Sequence, residues 1–158
     1  MTVILEQETD RVNEERARKH VRSVWGWPAQ KLDLPMYKLD WMFKFEPRRE
    51  RGKIHGWGEF KQRTGVYTTV ILSLAKAIRG VTWSQQTGLP FYFIVEFVDR
   101  GGVYKYAQIK SIEGLSVEWG GREDRDPAEA PHDMEPVVHI PYSWFKTPDP
   151  DEDNPFLV

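Results

Sequence analysis

The chain has 158 residues, 40% hydrophobic and 13% aromatic, enough for one domain with its own core and too few for two of ordinary size. It contains no cysteine, which excludes a disulfide framework, a thiolate metal site and a cysteine nucleophile, and favours a reducing compartment. The net charge of -2 hides an asymmetry: residues 1–63 carry 14 Lys+Arg against 10 Asp+Glu and residues 64–158 carry 8 against 14, so the total does not exclude a local basic face that meets phosphates.

In chain order, LEQETDRVNEERARKHVRSVWGW is rich in helix formers and sets Glu14, Ala17, Val21 and Trp25 on one face, which predicts a first helix ended by Gly26 and Pro28. MYKLDWMFKF and IHGWGEFKQR follow as two aromatic strands of an antiparallel hairpin, with EPRRERGK as its charged tip. TTVILSLAKAIRGVTWSQQTG reads as a second helix, capped by Thr68 or Thr69, striped by Ile71, Leu74, Ile78 and Val81, and ended by Gly88 and Pro90. FYFIVEFVD is apolar almost throughout, the pattern of a central strand covered on both faces, and VYKYAQI should pair with it as a hairpin. EWGGREDRDPAEAPHD reads as a long polar loop, EPVVHIPYSWF as one more strand, and residues 147–158, with four acids, as a disordered tail. The order predicts an α/β fold, one mixed central sheet flanked by helices, in a single domain over residues 1–146. No apolar run nears the length of a membrane span and the N-terminal segment lacks the pattern of a signal peptide, so a cytoplasmic protein with no membrane partner is expected.

Chemistry concentrates in GWGEFKQRT. Side chains alternate along a strand, so Glu59 and Lys61 share a face that Phe60 leaves. A hairpin partner containing KLDWMF puts Asp40 across from Glu59, and two carboxylates meeting beside an ammonium call for a further cation. Mg²⁺ suits them, because it takes oxygen ligands from one or two carboxylates plus substrate phosphates. A solvent-facing strand with a salt bridge from this pair to Asp40 or Lys44 is the simpler alternative.

Asp40 in KLDWMF, followed by Glu59, Phe60 and Lys61 on the next strand, resembles the PD-(D/E)XK nuclease superfamily, in particular its small phage-type members: virus-type replication-repair nucleases and Holliday-junction resolvases. Leu39 stands where the family's motif has proline, and it removes no metal ligand. The resemblance implies a restriction-endonuclease-like core over roughly residues 10–110. It implies a Mg²⁺-dependent endonuclease, with Mn²⁺ as a substitute ion, that hydrolyses DNA phosphodiesters in phage replication, recombination or repair within the host cytoplasm. Asp40, Glu59 and the Phe60 carbonyl would hold the ion, Lys61 would position the attacking water, and Glu14, preferred over Glu15, would be the family's first-helix acid.

Ser73 and Lys76 are the candidates for the polar residue that relatives carry early in the second helix, Lys76 as a phosphate contact; both can equally be solvated. The tip residues Arg48, Arg49, Arg51 and Lys53 could grip a phosphate backbone or simply be a charged turn. Trp25, Trp27, Trp41 and Trp57 read as core rather than base-stacking platforms. Junction and duplex cutters with this core commonly act as dimers, which leaves a homodimer open. A non-catalytic DNA-binding or assembly protein on the same fold is the alternative. The four histidines show no paired zinc spacing, and no G-x-S-x-G elbow or P-loop is present.

Overall fold

The structure is a computed structural model that describes residues 8–32, 39–44, 53–121, 134–149 and 155–156. The hairpin tip with Arg48, Arg49 and Arg51, most of the expected polar loop and residues 150–154 of the acidic end lie outside the described residues.

Helix α1 (Glu8–Ser23) is followed by three strands, β1 (Ala29–Lys31), β2 (Trp41–Lys44) and β3 (Ile54–Arg63). Then come β4 (Thr69–Ser73), helix α2 (Leu74–Thr87), β5 (Phe91–Phe97), β6 (Val103–Gln108), β7 (Val117–Gly121) and β8 (Met134–Pro141), with short 3₁₀ turns after β5 and β8. Five strands form one sheet in the order β1-β2-β3-β5-β6, in which β3 and β5 run parallel and every other neighbour is antiparallel. The remaining three form a second sheet, β4-β8-β7.

Every residue of β5 is buried because both faces of the main sheet are covered. Tyr92 and Ile94 pack toward α1 with Ala17, Val21, Trp27, Trp41, Phe43 and Phe60. Phe91, Phe93 and Val95 pack the other way, with Ala77 of α2 and Leu72, Val138 and Ile140 of the small sheet. The expected α1 face holds, since Glu14, Ala17, Val21 and Trp25 are all buried, and the four tryptophans named as core are buried too. Arg16 helps fix α1, donating from Nη2 to both carboxylate oxygens of Glu96 at 3.0 Å.

Three expectations are corrected. Residues 69–73 are a strand and not the first turn of α2, so neither Thr68 nor Thr69 caps the helix; Ser73 occupies the N-cap position. Thr69, Val70 and Ile71 are β-branched, and Val70 and Leu72 alternate into the core with period two. Ile71 is thus a strand residue and Ile78 is 50% exposed, which breaks the proposed stripe. The mixed central sheet flanked by helices is as expected, but residues 118–121, expected as loop, belong to β7 of a second sheet, in which β8 pairs with both β4 and β7 and not with the main sheet. His139 ties the small sheet across its strands: in the neutral ring Nε2 donates to Glu118 Oε1 at 2.6 Å, since a carboxylate only accepts, and Nδ1 then accepts from Thr69 Oγ1 at 2.7 Å. The expected disordered end does not hold at Phe156, which is 1% exposed and stacks on Phe43 at 4.8 Å between centroids.

Candidate active site

β2 and β3 pair with Trp41 opposite Gly58. One step outward, Asp40 meets Glu59, and strand alternation turns both toward α2 together with Lys61, while Trp41 and Phe60 go to the α1 side. On the α1 face Gly58 leaves room for these aromatics: a Cβ there would lie 3.0 Å from the Phe43 ring and 3.3 Å from Trp41. Each carboxylate is held by the other residue's stretch of backbone. The Asp40 N–H donates to Glu59 Oε2 at 3.2 Å and the Phe60 N–H donates to Asp40 Oδ2 at 2.9 Å. The N–H and C=O of one strand residue point to the same side, so the Phe60 carbonyl is directed to the side from which Asp40 approaches.

The second oxygen of each acid faces one ammonium. Lys76 Nζ lies 2.6 Å from Glu59 Oε1 and 3.9 Å from Asp40 Oδ1, and the sum of those two distances caps the separation of the oxygens. Lys61 Nζ stands 3.8 Å from the same Glu59 oxygen. Lys76 reaches this point because β4 runs into α2 without a loop, and Leu72 and Ala77, both 0% exposed, fix the first turn of the helix against the sheet.

Glu59 is fully buried, and burial first, then the neighbouring Asp40 charge, push its carboxyl up to about 7 against the pull of Lys76 and Lys61. For Lys76 burial opposes the charged form, yet Glu59 and Asp40 outweigh it and the ammonium is held above the usual lysine range. Arg63, further along the same face of β3, has its guanidinium lowered to about 10 by burial, against the charge of Glu59, and donates from Nη2 to the Ile71 carbonyl at 2.8 Å.

The structure thus brings Asp40, Glu59, Lys61 and Lys76 together. It does not bring Glu14 into the pair: its Oε1 accepts from Trp41 Nε1 at 3.0 Å and its Oε2 lies 3.4 Å from Lys31, on the α1 side of the sheet. Its charge still reaches Lys76, where it favours the ammonium. Glu15, the alternative, is exposed and pairs with Lys19 at 3.4 Å. Ser73 Oγ donates to Glu135 at 3.2 Å instead of entering the site. Lys53 is exposed just before β3, roughly 20 Å from Glu59 at strand rise. Arg48 and Arg49 lie outside the described residues. Sequence reasoning missed Arg63, although its spacing from Glu59 and Lys61 repeats the two-residue period that placed them on one face.

Among the described residues no group of three or more acids or histidines could hold a metal alone. The donors at the pair nonetheless fit a hard divalent ion: two carboxylates with one oxygen each turned to a shared cation, and a main-chain carbonyl on the same side. Mg²⁺ commonly takes no more than this from protein and completes its shell with water and phosphate oxygens.

A search of curated proteins gives no match. Among solved structures, a Holliday junction resolvase from the archaeal hyperthermophile Archaeoglobus fulgidus is similar at 14% identity, over 80% of this chain and 88% of that one, with a TM-score of 0.42. A family model described as phage putative PDDEXK endonuclease matches residues 3–148. That one span runs through α1, both acid-bearing strands, α2 and the small sheet, and the chain belongs to this family of phage PDDEXK endonucleases.

Proposed function

We propose that the chain is a divalent-metal-dependent endonuclease that hydrolyses DNA phosphodiester bonds, as one nuclease domain acting in phage DNA replication, recombination or repair in the host cytoplasm. The observation that carries this reading is the pairing of Asp40 with Glu59 on one sheet face, each with an oxygen directed at a common cation and with Lys61 beside them. Family membership supports the endonuclease activity.

Asp40, Glu59 and the Phe60 carbonyl would hold Mg²⁺ or Mn²⁺. The bound ion would neutralise charge building on the phosphate and bring the pKa of the attacking water toward neutrality. Lys61, 36% exposed at the side chain, stands at the mouth of the site, where its ammonium orients the water and stabilises the oxygens of the pentacovalent transition state. Water adds to phosphorus as the sugar oxygen leaves with a proton. Glu14 would support a second ion or its water only after its carboxylate leaves Trp41 and Lys31.

The test is nicking of supercoiled plasmid by the full chain in Mg²⁺ and in Mn²⁺, beside the variants D40N, E59Q and K61A. Cleavage should require the ion, and each variant should lower it by about 100-fold or more while the fold survives by circular dichroism. Retardation of DNA in gels with no cleavage in either ion overturns the reading and leaves a DNA-binding protein on a nuclease fold. Sedimentation of the protein with a branched duplex then reports whether two copies act together.

A further inference from the structure

We propose that Lys76 is the resident counter-cation of the acid pair, holding by its ammonium the place that a divalent ion must take, so that ion binding requires the Lys76 side chain to swing away. The proposal rests on the reading of Asp40 and Glu59 as the ion site and adds the control of its affinity.

The assignment of oxygens is the first support. Glu59 Oε2 and Asp40 Oδ2 are engaged by main-chain N–H groups, at 3.2 Å and 2.9 Å. The other two oxygens, Glu59 Oε1 and Asp40 Oδ1, are the more open to an ion, and both face Lys76 Nζ, at 2.6 Å and 3.9 Å. An ion about 2.1 Å from Glu59 Oε1 cannot share that approach with an ammonium already in contact with the same atom.

Charge is the second. Asp40, Glu59, Lys61 and Lys76 balance formally, so a divalent ion added with both lysines in place would leave an excess of two positive charges in a site whose inner acid is 0% exposed. One ammonium has to withdraw. Lys61 is already at the rim, 3.8 Å from the oxygen and with 36% of its side chain exposed, whereas Lys76 sits inside the pair. Lys76 also has an exit: 28% of its side chain is exposed, and a four-carbon stem lets the head move several ångströms while the backbone of α2 stays fixed. Swung outward, the ammonium remains near the site and is available to a substrate phosphate.

The test is calorimetric titration of the full chain with Mn²⁺ alone, without DNA. K76M keeps the stem and removes the charge, and it should bind Mn²⁺ at least about tenfold more tightly than wild type, since a unit charge a few ångströms from the ion is worth more than the free energy of a tenfold change. K76R, which keeps the charge, should not gain affinity. Without added ion K76M should melt below wild type, and it should recover more on adding Mn²⁺. Should K76M misfold by circular dichroism, K76Q carries the same expectation. Equal or weaker Mn²⁺ binding by the neutral variants overturns the proposal. A failure of the underlying site reading shows differently: Mn²⁺ would then bind E59Q and D40N as well as it binds wild type, or bind none of the chains.

Discussion

Replacing Glu59 by Gln tests the electrostatics of the acid pair at nearly constant shape. Burial beside Asp40 moves the Glu59 carboxyl from 4.5 to about 7, so the folded chain binds this proton more tightly than the unfolded chain does. The stability linked to it is fully present below the unfolded value and is lost as pH rises through the folded one. A displacement of this size corresponds to about 3 kcal/mol, lost at a little over 1 kcal/mol per pH unit between about pH 5 and pH 7. E59Q cannot titrate here, so its unfolding free energy relative to wild type should rise by about 3 kcal/mol between pH 4 and pH 8. The assay is urea unfolding at half-unit pH steps with chelator present, followed by the fluorescence of Trp27 and Trp41, which are 1% and 0% exposed. Other titrating groups act on both chains, so only the gap between the curves is read. A gap that stays constant refutes the argument, because Glu59 would then bind its proton equally in the folded and unfolded chains, with Lys76 at 2.6 Å offsetting burial.

Two packing predictions follow from the core. A Cβ on Gly80 of α2 would fall 2.2–2.4 Å from atoms of the Phe91 ring, so G80A should lower stability by about 1–3 kcal/mol and shift the urea midpoint without changing the slope. A midpoint equal to wild type would mean that α2 does not rest on Phe91 at this distance. F156A removes a ring that is 1% exposed and packs on Trp27, Phe43 and Tyr92, and should cost about 3 kcal/mol or more in thermal or urea unfolding. An unchanged melt would place Phe156 outside the core.

The features legible in the sequence are those set by local period. Glu59 and Lys61 share a face because strands alternate, the apolar run of β5 announced a strand covered on both sides, and the α1 face followed from its spacing. Residues 69–73 misled because an apolar run next to a helix carries no boundary of its own; their partner, β8, lies more than sixty residues away and supplies the hydrogen bonds that settle the matter. β7 was read as loop because its strand character depends on the same distant partner. The role of Lys76 was out of reach for a related reason. As a helix residue three positions after Ser73 it suggested a contact with substrate, and only the strand-to-helix junction at Leu74 turns its ammonium onto Glu59. Phe156 was hidden by the acids before it, which marked the whole end as solvated although one aromatic is enough to dock it.

The small sheet bears on the order in which the molecule can be finished. Both acids and Lys61 lie at or before residue 61, but the strand that launches α2 finds its strand partner only in residues 137–141 among those described. A chain broken off before residue 137 would contain every group drawn to the pair and still lack the brace that aims one of them. Competence of the site is thereby tied to synthesis past residue 141, and a product terminated before that point would be an unassembled one.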